Sequence, residues 1–231
     1  MIIRIELGKD VPVWSELAGL IDTAKQNSVG LRRKVSARFF HLEETTMLPV
    51  AFEGIENFGF NHLPGRCRSI ALETVRGEVE FECEVKDLKR RMARNTPNRL
   101  TIDDLVSRPD VLHAEIHALL LLQRQEATKP TRKNMNALWV SAAPCMACAQ
   151  SLAYLSDLKF LFIDDGYRNF EGLEYLMTSL KDIRVFKVVR NDRTFDHLIE
   201  VTSPCEFKRI CEHDPNVLLN VPKHHTTTSG M

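Results

Sequence analysis

The sequence predicts an α/β protein in which parallel strands form the centre of a sheet and helices cover them. Three observations carry that expectation. From residue 137 onward, apolar runs alternate with helical stretches: 137–143 (A-L-W-V-S-A-A), 158–164 (L-K-F-L-F-I-D) and 182–189 (D-I-R-V-F-K-V-V) read as strands, with helices over 145–157 and 169–180 between them. The connections are only a few residues long, which favours parallel strands joined by helical crossovers. The chain has 231 residues of which 44% are hydrophobic, enough for a sizeable core.

The other elements follow in order. Residues 2–7 alternate like a short strand, and 14–26 read as a helix with Trp14, Leu17, Leu20 and Ile21 on one face. Residues 36–42 and 49–54 read as strands around the polar turn E-E-T-T. The stretch G-F-N-H-L-P-G (59–65) carries the Gly and Pro punctuation of a loop. Residues 85–94 form a basic helical stretch, 114–126 an apolar helix, and 127–136 a basic loop. Residues 194–221 add a strand and a short helix, and 222–231 have no core-forming content, as expected of a mobile tail. There is no internal repeat and no long linker, so residues 1–221 are expected to form a single domain.

Composition narrows the function. Lys plus Arg and Asp plus Glu both number 31, so no global charge attracts nucleic acid, although local basic patches remain. There is no apolar run of membrane-spanning length, and the first residues are too short and too charged a stretch for a signal peptide. Six cysteines in a chain this long are not expected to form a disulfide framework. The expected setting is reducing and cytoplasmic.

One constellation carries chemistry. Residues 113–117 read H-A-E-I-H and residues 144–148 read P-C-M-A-C. Zinc suits imidazole nitrogen and thiolate sulfur, and a catalytic zinc keeps three protein ligands and one open position. His113, Cys145 and Cys148 supply three. The two cysteines are three apart and so face the same way on a helical turn; Pro144 would suit the first helical position, and a helix start stabilises thiolate charge. A strand ending at Ala143 would deliver both thiols to the C-terminal edge of the sheet. Glu115 is two residues from His113, and the two point roughly opposite ways on an ideal helix. Both reach one cavity only if His113 stands at the very start of the helix, which Pro109 allows by breaking any earlier one. Glu115 would then be a base beside an acidified water.

H-A-E followed by P-C-x-x-C resembles the signature of the zinc-dependent cytidine/deoxycytidylate deaminase superfamily. G-F-N-H-L-P-G resembles the G-Y-N-x-x-P loop of its deoxycytidylate deaminase branch. A-K-Q-N-S-V-G-L-R-R-K-V-S-A resembles that branch's first helix and strand, and Y-R-N-F-E-G-L-E-Y-L with D-I-R-V a later helix and strand. The likeness covers about residues 14–189, leaving 190–221 as a C-terminal extension. It implies a three-layer α-β-α fold with a mixed central sheet and helices on both faces. The implied activity is hydrolytic deamination of a pyrimidine nucleotide, dCMP to dUMP, with release of ammonia. His113, Cys145 and Cys148 carry over as Zn2+ ligands, Glu115 as proton shuttle and Asn61 as a substrate contact; the family also implies a homo-oligomer. The chain departs from the branch at His117, where Asn is usual, and at V-S-A-A before the Pro-Cys.

Other readings stand beside this one. His113 and His117 with the two cysteines would close a four-ligand structural zinc site, or His117 is a core histidine or one that orients the ligands from outside. Cys205, Cys211 and His213, with Cys67 or His62, would make a second metal site, or are scattered thiols. K-D-L-K-R-R-M-A-R (86–94), Lys129, Arg132 and Lys133 would grip a phosphate or an RNA backbone, or form solvated surface. Asn61 would serve as a turn former. Two rival functions follow: a deaminase acting on a base in tRNA or single-stranded nucleic acid, and a non-catalytic zinc-binding subunit.

Overall fold

The computed structural model describes residues 3–5, 7, 11–28, 34–50, 58–61, 112–128, 135–166, 170–191 and 194–212. Its strands are β1 (Ile3–Ile5), β2 (Ser36–Glu43), β3 (Leu48–Val50), β4 (Phe58–Phe60), β5 (Ala137–Val140), β6 (Phe160–Ile163), β7 (Arg184–Asn191) and β8 (Thr194–Val201). They form one mixed sheet in the order β1-β8-β7-β6-β5-β2-β3, with β4 pairing the first half of β2. As the regular alternation from residue 137 predicts, β5, β6 and β7 run parallel. The flanking pairs are antiparallel.

Five helices lie among the described residues: α1 (Val11–Gln26), α2 (Ala114–Thr128), α3 (Met146–Leu155), α4 (Glu171–Ser179) and α5 (Pro204–Glu212). Their apolar residues fall into two clusters, and successive strand residues divide between the clusters because side chains alternate across a pleated strand. Trp14 of α1 packs against Phe40, Trp139, Phe162 and Phe195, with ring centroids 4.9 to 6.2 Å apart. Leu138 and Val140 instead join Leu119 of α2, Leu152 of α3, Leu176 of α4 and Phe207 of α5. Complete burial of two tryptophans and several phenylalanines makes these clusters the main source of stability, at about 25 cal/mol per Å² of apolar surface removed from water.

Several boundaries differ from expectation. The helix expected over 14–26 starts at Val11, because Pro12 in its first turn removes a donor that has no intrahelical partner there. The strand expected over 137–143 stops at Val140. Ser141 then bonds back to Ser36 through both its N–H (2.9 Å) and its Oγ (3.0 Å), and Ala143 N–H bonds the Asp165 carbonyl at 2.9 Å. Gly59 and Phe60, expected in a loop, belong to β4. Of the strand expected over 49–54, β3 covers Leu48–Val50. Asp164, at the end of β6, accepts bonds from Trp139 Nε1 and Arg190 Nη2, both at 2.8 Å, and Arg190 also grips Asp22 of α1 at 2.8 Å. Burial pushes the Asp164 carboxyl up from its ordinary value, opposed by the Arg190 charge. No helix among the described residues is long and apolar enough to cross a membrane. The basic stretch 86–94, Lys129, Arg132, Lys133, His62, Cys67, His213 and the tail 222–231 lie outside the described residues.

Candidate metal centre

Two helices begin at one place. His113 stands immediately before α2, outside it, and its carbonyl accepts the His117 N–H at 2.9 Å. Cys145 is the N-cap of α3, with extended backbone (φ −74, ψ 168), and its carbonyl accepts the Ala149 N–H at 2.9 Å. Cys148 lies one turn on, so the thiols share a side as their spacing predicts. Pro144 precedes the cap instead of opening the helix, as the first helical residue is Met146. Both helix N-termini therefore direct their partial positive charge towards the thiols.

The donor atoms of His113, Cys145 and Cys148 all lie within 4.8 Å of one another. His113 Nδ1 is 3.5 Å from Cys145 Sγ and 3.4 Å from Cys148 Sγ. This is one nitrogen and two sulfurs converging on a single point, the donor chemistry that suits zinc. The electrostatics prepare one of the three donors, Cys145, for ligation. The hydrogen bond from the Cys148 thiol, helped by His113, pulls Cys145 down to about 4, so it is a thiolate. Cys148, 2% exposed, is driven up by that same bond and by burial. His113 is raised, chiefly by its bond to Cys145.

Glu115 is 4% exposed and stands beside this cluster, close enough to feel the charges of His113 and Cys145. Burial is the largest influence on it and lifts the carboxyl to about 7. The condition set by helix geometry is met: His113 precedes the first turn, so it and Glu115 escape the opposed directions they would have on a continuous helix.

Asn61, directly after β4, accepts the Ala114 N–H on Oδ1 at 3.2 Å, so it caps the helix next to His113. His117 is not among the converging donors. Its Nδ1 lies 3.1 Å from the Phe60 carbonyl oxygen and 3.3 Å from the Phe60 nitrogen, and its ring meets the Phe60 ring edge-on at 4.9 Å. Cys205 and Cys211 sit on α5, and no second group of metal-ligand type is assembled among the described residues.

Sequence reasoning missed two glycines. A Cβ on Gly59 would stand 2.1 Å from the Ala114 carbonyl oxygen and 2.3 Å from the Ala118 nitrogen. On Gly172, in the first turn of α4, it would stand 2.3 Å from the Pro144 carbonyl oxygen and 2.7 Å from the Cys145 backbone. Each brings another element's backbone onto a ligand-bearing segment. A glycine inside an apolar run or a helical stretch was the available signal.

No family model and no curated protein matches the chain. Among solved structures, the dCMP deaminase of the cyanophage S-TIM5 in complex with dCMP and dUMP aligns over 76% of this chain and 96% of its own, at 17% identity and a TM-score of 0.45. The apo form of that enzyme aligns over 75% of this chain and 96% of its own, at 17% identity and a TM-score of 0.41.

Proposed function

We propose that the chain is a zinc-dependent hydrolytic deaminase of a cytosine-type nucleotide, with dCMP the favoured substrate. The observation that carries the reading is a buried carboxylate, Glu115, two residues from His113 and beside a three-donor His/Cys/Cys cluster. Three donors leave one position of a tetrahedral ion open, whereas a structural clip would use four. His117, the fourth donor the spacing offered, is engaged with Phe60 instead.

His113, Cys145 and Cys148 would hold the zinc, which when bound supplies a Lewis acid that brings the pKa of a water towards neutrality. Glu115 takes a proton from the attacking water and delivers it to the leaving amine. The oxygen adds to the amine-bearing ring carbon, the water's other proton ends on the adjacent ring nitrogen, and the C–N bond breaks to leave a carbonyl and ammonia. Burial of Glu115 suits both halves of that transfer, since it keeps the carboxyl able to accept and to release a proton. Asn61 would orient the substrate beside the His113 end of α2. The sequence resemblance also carries the three-layer α-β-α arrangement, a single domain, a homo-oligomer and a cytoplasmic setting as parts of this proposal.

Ammonia release tests it, with zinc-loaded protein and dCMP, CMP, deoxycytidine, cytidine, adenosine and unmodified tRNA in parallel. Release from dCMP is expected. Glu115→Ala should keep zinc and fold while turnover falls by about 10²–10⁴-fold, the range for a positioned acid–base group. Near-normal turnover in that variant would remove Glu115 from the mechanism. Release from tRNA alone would move the activity to nucleic acid, and release from nothing would favour a binding subunit.

A further inference from the structure

Three consecutive residues of the β4 segment meet one turn of α2. Gly59 lies so close to Ala114 and Ala118 that no side chain fits between. Phe60 is gripped by His117, whose Nδ1 lies within bonding distance of both the Phe60 nitrogen and its carbonyl oxygen, so either tautomer ties the same residue. Asn61 then caps Ala114. The helical turn these residues touch is the one that follows His113 and contains Glu115. Among the described strands β4 pairs with β2 alone, over three residues; Phe58 is buried under Arg38, and the Asn61 N–H bonds the Val35 carbonyl at 3.3 Å. Those contacts fix the backbone of the segment, and the Phe60 and Asn61 contacts fix how its last two residues meet α2.

We propose that His117 is a positioning residue: by locking Phe60 onto α2 it places the next residue, Asn61, at the mouth of the metal cluster, and so sets substrate affinity and not the rate of the chemical step. The proposal rests on the deaminase reading and adds a role to a residue that reading does not use. His117 lies one helical turn beyond His113 and touches Phe60, not the cluster. Its loss should leave the zinc ligands and Glu115 in place while Asn61 shifts.

The test compares His117→Ala, His117→Asn, Asn61→Ala and the His117→Ala/Asn61→Ala double variant in full-length zinc-loaded protein, with dCMP as substrate. In His117→Ala, KM should rise about tenfold, the effect of roughly one hydrogen bond, with kcat within about twofold of wild type and zinc stoichiometry unchanged. His117→Asn should recover most of the loss, because its amide offers both a donor and an acceptor to Phe60. The double variant should be no worse than Asn61→Ala alone, since one residue acts through the other. A fall in kcat at constant KM, or losses that add, would overturn the proposal. Amide hydrogen exchange at Ala114 is read in the same proteins and needs no activity. It should accelerate in His117→Ala while exchange in the later turns of α2 stays put; an unchanged Ala114 rate would overturn the proposal. If the wild-type protein deaminates nothing, the deaminase reading fails and the exchange result alone decides whether His117 positions Asn61.

Discussion

The two arms of the His113/Cys145/Cys148 cluster are held in different ways. The histidine arm is the start of α2, and what fixes it is the edge strand β4, through a close backbone approach at Gly59, the Phe60–His117 clasp and the Asn61 cap. The cysteine arm follows β5, a strand paired on both sides, and is held by main-chain contacts: Ala143 to Asp165, and Gly172 of α4 against Pro144 and Cys145. Phe60 and Asn61, at the outer end of β4, can be altered with less disturbance to the core, whereas the cysteine arm is continuous with it. The histidine arm is therefore where geometry can be tuned, and the cysteine arm where stability and metal binding are coupled.

The largest effect that separates the arms is removal of a ligand. Cys148→Ala and His113→Ala should each weaken zinc by more than the roughly 10–100-fold seen when a ligand's supporting partner is lost. Their effects on folding should differ. Cys148 is buried with Ala149 and Leu152 against the sheet, and its truncation should lower Tm even in metal-free protein. The half-buried His113 should lower Tm only when zinc is present, because what it loses is linked binding energy. Chelator competition and calorimetry with and without zinc check both. Equal metal-free Tm losses would mean the arms are not differently built.

The next effect comes from the glycines. Gly172→Ala and Gly59→Ala both force a methyl against backbone atoms closer than real Cβ contacts allow, so something must move. Such overpacking costs about 1–3 kcal/mol. Gly172→Ala should fall at the upper end and weaken zinc with it, because α4 and the Pro144–Cys145 segment are both built into the interior. Gly59→Ala should cost less in denaturant unfolding, since β4 pairs only with β2 among the described strands, over three residues, and its Phe60 end is half-exposed. The larger sign of that change should be poorer substrate binding. A greater stability loss at Gly59 would invert the comparison.

The same contrast explains which features were legible in the sequence. The parallel β5-β6-β7 core was readable because its apolar runs and helical stretches alternate with short connections, a local pattern. The three-donor cluster was readable from spacing, since residues three apart share a helix side and Pro109 lets His113 open a helix. The placing of the cysteines was less so. The strand stops at Val140, and residues 141–145 are carried by bonds to Ser36 and Asp165, which are distant in sequence. Gly59 and Phe60 looked like loop because a three-residue strand between turn-forming residues has too few positions to display period-two alternation. The role of His117 was open between a ligand, an orienting group and a core residue. Only the fold shows that its partner is Phe60, 57 residues away.

The smallest expected effect is a control for the whole comparison. Lys159 pairs with Glu44 at 2.8 Å, and the Glu44 carboxylate raises the lysine's affinity for its proton. The pair sits where β6 begins, whereas both metal-bearing arms lie towards the end where β5 and β6 finish. Lys159 and Glu44 are more than half exposed, at 57% and 53%, so solvent and salt screen their attraction. What holds this edge is Asn136: its carbonyl accepts the Lys159 and Phe160 N–H groups at 2.8 and 3.0 Å, and its side chain bridges Leu42 through bonds of 2.8 and 3.1 Å. Lys159→Ala leaves all four of those bonds in place, because the backbone donor at 159 remains. Thermal unfolding at physiological salt should show no measurable change in Tm, and zinc affinity and KM should match wild type. A shift in zinc affinity from this remote, screened pair would mean that any perturbation of the sheet reaches the cluster. The separate behaviour of the two arms would then reflect general loosening and not the contacts that hold each one.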